Sequence, residues 1–186
     1  MQPLAHLTLQ FALLVILLAQ LACATSSPED PKARVYSLIE QRLTYMPDVA
    51  AFKYEHQIPI ENLEREAMVI ANVVAEAAEA GLAPASVVPF FETQIAAAKL
   101  IQASVWQQLE NGDQALSGYR DLETDVRPAL DRIGAELISA IANVLNQGLE
   151  FKPEDLARSI DSQYLPRASY DELGEALSAI RLSSGL

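Results

Sequence analysis

The chain has 186 residues, which is long enough for one domain with a complete hydrophobic core. It carries 25 acidic and 13 basic residues, and the formal net charge of -12 argues against nucleic acid or an anionic membrane surface as the main partner. Good helix formers are abundant, glycine occurs only 7 times, and strand-like alternation is nearly absent. We therefore expect an all-α fold. Because the chain has few cationic residues, a cluster of them would indicate a functional site.

The first 24 residues have the pattern of a signal peptide. The apolar run at 7–21 is short for a membrane span, and small residues follow it. We expect cleavage after Ala24, with 25–186 as a single mature domain in the periplasm or the medium. An uncleaved anchor is the alternative, because neither Lys nor Arg precedes the run. Acylation of Cys23 is less favoured, since Gln20 stands where lipoprotein signals usually have leucine.

Cleavage after Ala24 would remove Cys23, the only cysteine, and would leave His56 as the only histidine. The mature domain would then have neither a disulfide nor thiol chemistry. A single histidine also weakens the case for a His-based metal site or a Ser-His triad. We expect neither a metal nor a cofactor.

Apolar spacing, together with the positions of proline and glycine, predicts a bundle of about six helices. The first begins near residue 28 and is interrupted at Pro47. The others are expected at 60–80, 84–109, 124–149, 153–162 and 166–182. In the helix at 60–80 the predicted core-facing stripe is Leu63, Ala67, Ile70, Val74 and Ala77.

Two cations on the first helix share one face. Arg42 and Lys53 are 11 residues apart, which at about 100° per residue leaves them within about 20° of each other, although Pro47 bends that geometry. Taken singly, such cations are usually solvated: Arg65 could simply pair with Glu61 at i,i+4, and Lys53 could snorkel at a helix end.

The segment Val49-Ala50-Ala51-Phe52-Lys53-Tyr54, followed by Gln57-Ile58-Pro59-Ile60-Glu61 and then Arg65, resembles the all-helical chorismate mutases. It is most similar to their exported, periplasmic subclass. The run Phe91-Glu92-Thr93-Gln94-Ile95 with Gln102, and the pair Arg127 and Asp131, resemble later parts of the family pattern in the same order. The resemblance extends from Arg42 to Asp131.

The resemblance implies conversion of chorismate to prephenate by a Claisen rearrangement, for phenylalanine and tyrosine biosynthesis outside the cytoplasm. It implies that Lys53 and Gln102 contact the breaking ether oxygen. Carboxylates would be held by Arg42, Arg65 and Arg127, and the substrate hydroxyl would lie near Asn62 or Glu66. A homodimer is expected, in which each chain completes its own site. A concerted rearrangement of a dianion requires that its carboxylates are held and that the charge developing on it is stabilised, and it requires no cofactor. Arginine, lysine and glutamine side chains are suited to these tasks.

Two positions depart from the family pattern. Ala98 stands where relatives often have a hydroxyl that contacts a carboxylate, and Asn62 stands where they often have an acid. Because Gln102 is neutral at ordinary pH, we expect an activity profile that is nearly flat between about pH 5 and 8.

Other charged residues are expected to be structural. Asp131 and the pair Glu76 and Glu79 are assigned to caps and solvated faces, and Lys99 is expected to point about 100° away from Ala98. Two alternatives to the enzyme remain. One is a non-enzymatic periplasmic helical adaptor or chaperone, and the other is a chorismate-binding relative that has lost activity.

Overall fold

The computed structural model describes residues 30–112, 118–160, 162 and 164–184. The predicted signal peptide, its cleavage site and Cys23 lie outside these residues. None of the described helices combines the length and apolar character needed to cross a membrane.

The described part of the chain is all-α, as predicted. It contains seven α-helices and one π-helical turn at Leu122–Val126: α1 (Pro31–Thr44), α2 (Met46–Glu55), α3 (Leu63–Glu79), α4 (Pro84–Glu110), α5 (Arg127–Asn146), α6 (Pro153–Ser159) and α7 (Arg167–Ser178). The count exceeds six because the first predicted helix is divided at Tyr45, two residues before Pro47. The helix predicted at 84–109 is found almost unchanged, and Pro89 lies inside it without ending it.

Side-chain caps fix where the helices near the site begin. Asp30 accepts a hydrogen bond from the backbone N–H of Lys32 at the start of α1. Asn62 accepts one from the N–H of Arg65 at 2.9 Å, while its own N–H donates to Glu66 at 3.4 Å. This reciprocal cap satisfies amides that have no partner within the helix, so α3 begins at Leu63 and not at residue 60.

The helices pack around a core whose centre is formed by α4. Helices α2, α3 and α7 lie against α4, α1 packs along α5, and α6 pairs with α7. Phe90 and Phe91 of α4 are fully buried, and Trp106 donates to the carbonyl of Ala50 at 2.9 Å. That bond ties α2 to α4 and so fixes the position of Lys53, three residues further along.

The predicted apolar stripe of α3 is only partly correct: Ala77 is buried and Ile70 packs against the core, whereas Leu63 and Ala67 are exposed. Leu63 is 68% exposed, and of the whole helix only Val73 and Ala77 are buried. The inward face of α3 instead carries Arg65, Glu66, Val69, Asn72, Val73 and Glu76, which line a cavity. Apolar periodicity misjudged the first turns of this helix because they face a polar pocket and not the packed core.

Candidate active site

A cavity of about 150 Å³ lies between α1, α2, α3, α4 and α5. Every side chain that the sequence singled out lines it: Arg42, Lys53, Asn62, Arg65, Glu66, Gln102 and Arg127. Residues that are up to 85 positions apart in the chain therefore meet at one site.

The charge of this cavity is opposite to that of the chain. Five cationic side chains line it, against three acidic ones, Glu66, Glu76 and Asp131. Five of the chain's 13 Lys and Arg residues therefore converge here, and the lining has a surplus of two positive charges within a chain of net charge -12. Such a lining suits a small molecule that carries two negative charges.

Lys53 is a buried cation with a fixed ammonium group. It is 7% exposed, and its Nζ donates to the carbonyl oxygen of Ile60 at 2.6 Å. The chain turns back after α2 through Gln57, whose φ is 55°, and this turn brings Ile60 over the lysine. Burial, with smaller contributions from Arg127 and Lys99, lowers the pKa of Lys53, while Glu66 opposes the shift. The side chain therefore does not snorkel to solvent.

Gln102 approaches the same space from α4 and is 5% exposed. Its Nε2 donates to the carbonyl of Ala98 at 3.2 Å and makes a weak contact with Sδ of Met46 at 3.9 Å. Its Oε1 is buried without a hydrogen-bond partner among the described residues. Since the amide nitrogen bears two hydrogens, the one near sulfur is available to a ligand oxygen.

Arg42 lines the cavity from α1 and is partly buried. Its guanidinium carbon lies 5.6 Å from the ring centroid of Phe91, and its Nη1 donates to the carbonyl of Leu130 at 3.0 Å. Nε is buried and has no partner in the part of the chain that is described. Burial lowers the pKa of Arg42 to about 10, Asp131 and Glu76 counteract this, and Arg65 adds to it. The group is still cationic at neutral pH.

Two further arginines are held by carboxylates. Arg65 Nη2 lies 2.5 Å from Oδ1 of Asp131, and Arg127 pairs with Glu123 one helical turn earlier. Asp131 is exposed, as expected of a solvated acid, but it also pairs with Arg65, which was not expected; the alternative pairing of Arg65 with Glu61 is not what the structure contains. Both arginines are oriented before any ligand arrives.

Lys99 also differs from its prediction. Its Nζ lies 3.1 Å from Glu66 and 3.5 Å from Glu61, and Lys99 lines the cavity beside Ala98. The prediction considered only the angle between successive residues around the helix. A lysine side chain is long enough to curve back towards these carboxylates. Asn62 uses its side-chain oxygen for the helix cap, so its amide nitrogen is the group left for a ligand.

Sequence reasoning gave no site role to several polar residues of the lining, among them Gln94 and Glu76, and the assignment of Glu76 to a solvated face is wrong. Oε2 of Glu76 and both amide atoms of Gln94 are buried without a partner among the described residues. Burial is the main factor that raises the pKa of Glu76, with Asp131 and Glu79 adding to it and Arg42 opposing it. Helical spacing was the available signal, because Glu76 follows Arg65 by 11 residues and Gln94 precedes Gln102 by eight.

Fold and site together define a class of protein. An all-helical bundle encloses a cationic pocket that offers guanidinium groups, a desolvated ammonium and neutral amides. The described residues contain no group of three or more His, Cys, Asp or Glu side chains arranged to hold a metal ion. The pocket is suited to gripping a small dianion and stabilising charge that develops on it.

Comparison with known proteins identifies the family. The profile of chorismate mutase type II matches residues 33–103. The chain is 31% identical over 148 residues to the monofunctional chorismate mutase of Enterobacter agglomerans, covering 78% of this chain and 81% of the relative. It is 38% identical over 112 residues to the secreted chorismate mutase of Yersinia pestis, covering 58% of each. The chain belongs to the type II chorismate mutase family.

Solved structures agree with this assignment. The crystal structure of the secreted chorismate mutase from Yersinia pestis matches with a TM-score of 0.75 and 27% identity, over 81% of this chain and 98% of that one. The chorismate mutase from Burkholderia thailandensis matches with a TM-score of 0.65 and 33% identity, over 80% of this chain and 97% of that one. The all-helical fold and the resemblance stated from the sequence motif are thus confirmed.

Proposed function

We propose that the protein converts chorismate to prephenate by a Claisen rearrangement, and that the seven predicted residues of the pocket bind the substrate. The observation that carries this proposal is the surplus of two positive charges in one pocket of a strongly acidic chain. Chorismate carries two carboxylates, so it complements that surplus. Its rearrangement is intramolecular and requires neither a nucleophile nor a cofactor.

The arginines would hold the substrate in a compact, reactive conformer. Arg42 and Arg65 grip carboxylates from α1 and α3, and guanidinium groups do this with two parallel hydrogen bonds. Asp131 keeps Arg65 in place at 2.5 Å. Arg127, whose side chain is 29% exposed, contributes from the start of α5. Such gripping lowers the barrier because the reacting carbons are brought together before reaction.

Lys53 and Gln102 would act on the ether oxygen, where negative charge grows as the C–O bond breaks. Both side chains are at least nine-tenths buried, so their N–H groups act in a water-poor environment where electrostatic interactions are strong. Lys53 is already positioned by Ile60, and Gln102 by Ala98. Fixed donors of this kind need little rearrangement during the reaction.

The substrate hydroxyl would lie at the end of the pocket formed by Asn62 and Glu66. Glu66 is held by Lys99 and by the backbone N–H of Asn62. Its carboxylate can still accept a hydrogen bond from the substrate hydroxyl, since a carboxylate has about four acceptor sites. Asn62 offers its amide nitrogen. This end of the pocket is polar and lies at the start of α3.

Three further proposals concern the setting of the enzyme. We infer that the chain is exported, with cleavage after Ala24, that it forms a homodimer, and that it serves phenylalanine and tyrosine biosynthesis. Support for export comes from the segment at 7–21 and from a relative described as secreted. Mass spectrometry of the mature amino terminus tests cleavage, and sedimentation analysis tests the dimer.

The decisive experiment is the loss of chorismate absorbance with purified residues 25–186, run beside a Lys53→Ala variant. We expect turnover by the intact domain and a large loss in the variant. Binding of chorismate without turnover would favour the inactive relative, and neither binding nor turnover would favour an adaptor or chaperone. Equal turnover in the variant would contradict the assignment of Lys53.

A further inference from the structure

Gln94 is an unusual residue in this protein. Its side chain is 3% exposed, yet neither its amide nitrogen nor its amide oxygen has a hydrogen-bond partner among the described residues. Buried polar groups are hydrogen-bonded in the great majority of cases, because an unpaired one keeps its full desolvation cost. Gln94 also lines the cavity that holds the proposed active site.

Gln94 and Arg42 line the same cavity. Phe91 lies three residues before Gln94, about one helical turn away on the same side of α4. The guanidinium of Arg42 lies over the Phe91 ring at 5.6 Å. Arg42 Nε is likewise buried without a partner in the described part of the chain. Two side chains that line one pocket thus have buried N–H donors without a partner among the described residues.

Gln102 lies two turns further along the same face of α4, with Ala98 between the two glutamines. The alanine side chain is short and carries no polar group. Arg42, Gln94 and Gln102 line one cavity, so a ligand that contacts both Gln102 and Arg42 occupies the cavity that Gln94 also lines.

We propose that Gln94 is a substrate-binding residue whose amide N–H donates a hydrogen bond to the carboxylate gripped by Arg42. This assignment rests on the proposed function. A neutral donor suits the position, because it contacts the carboxylate without placing another buried charge beside Arg42 and Arg65. Substrate binding then satisfies a group that the unliganded fold leaves unpaired.

The test compares the wild type with Gln94→Met, which removes the amide at nearly constant length. Gln94→Asn, which withdraws the amide by one methylene group, is the second variant in case the first does not fold. Gln108→Leu removes an exposed amide from the same helix and is the matched control. For each protein, KM and kcat for chorismate, the inhibition constant of prephenate and the thermal unfolding midpoint are measured.

We expect both Gln94 variants to raise KM and the prephenate inhibition constant by about 10- to 100-fold, the range for a lost hydrogen bond to a charged group. We expect kcat to change by less than about threefold. The unfolding midpoint of Gln94→Met should equal or exceed that of the wild type, because an unpaired buried amide is removed. The control should match the wild type in every measurement.

A purely structural role predicts the opposite pattern, in which stability falls and KM stays within about twofold of the wild type. That pattern would overturn the proposal, as would a KM that rises only in variants that lose stability. Absence of chorismate turnover in the wild type would contradict the proposed function together with this assignment. Normal wild-type turnover with an unchanged KM in both variants would contradict the Gln94 assignment alone.

Discussion

The Nζ atom of Lys53 lies 2.6 Å from the carbonyl oxygen of Ile60. Lys53 is near the end of α2, and Ile60 is in the turn that leads to α3. This bond holds a desolvated ammonium group at the wall of a cationic pocket in the absence of any substrate. Preorganisation of this kind is what charge stabilisation requires, because the donor is oriented before charge develops.

The first prediction concerns Lys53 itself. We expect Lys53→Met to lower kcat for chorismate by about 100-fold or more, since loss of one such preorganised donor typically costs two to three orders of magnitude. Lys53→Arg should not restore the rate, because a planar guanidinium cannot replace a compact ammonium within the same space. Steady-state kinetics with circular dichroism checks both rate and folding. Lys152→Met, at an exposed lysine, should behave as the wild type.

The second prediction is the pH dependence of the wild type. The protonated form of Lys53 is the active one, and its pKa is lowered chiefly by burial. Activity should therefore be lost on the alkaline side, as pH rises through a pKa below the usual lysine value of about 10.4. The profile of kcat/KM, which reports the free enzyme, measures this pKa. An alkaline limb at or above the usual lysine value would contradict the assignment.

The third prediction uses Gln102→Glu. Gln102 does not titrate, so the wild type should keep a nearly flat profile between about pH 5 and 8. A glutamate there can donate to the ether oxygen only when protonated, so the variant should lose activity as pH rises over that window. Comparison of the two kcat/KM profiles checks this. Parallel profiles would show that Gln102 does not contact the reacting oxygen.

The fourth prediction ranks two arginines. Arg42 is partly buried, with its Nε fully buried, whereas the side chain of Arg127 is 29% exposed and pairs with Glu123. Because partly solvated ion pairs are weak, Arg127→Ala should raise KM by only about 10-fold, and the effect should shrink at high salt. Arg42→Lys keeps the charge but loses the bidentate grip, and we expect a larger loss of kcat/KM. The reverse order would contradict the placement of the substrate.

The fifth prediction concerns stability and compares two helical glycines. A Cβ at Gly174 of α7 would lie 2.1 Å from the carbonyl oxygen of Pro153, where α6 begins, so Gly174→Ala should destabilise the fold by about 1–3 kcal/mol. A Cβ at Gly134 of α5 would meet only Arg42 Nη1, at 3.5 Å. Gly134→Ala should therefore gain about 0.5–1 kcal/mol from helix propensity. Urea unfolding of the wild type and both variants measures whether the free energy of unfolding falls in Gly174→Ala and rises in Gly134→Ala.

Much of the fold was readable from the sequence. Helix α4 was predicted within one residue at its end, because Pro84 and the Asn111-Gly112 turn signal its limits clearly. The stripe predicted for α3 was correct only towards the end of the helix, where Ala77 is buried. In its first turns Leu63 and Ala67 are exposed, because α3 there faces a cavity through Arg65 and Glu66.

The sequence by itself determined the helical class, the family and the identities of the seven predicted pocket residues, because these depend on helical spacing and on a motif whose parts follow in order along the chain. The tertiary structure alone decided which carboxylates hold Arg65 and Lys99. Asp131 reaches Arg65 across 66 residues, and Lys99 reaches Glu66 across 33. It also placed Gln94 and Glu76 in the pocket. Long-range pairing of this kind depends on how the helices pack against one another, and no local pattern encodes it.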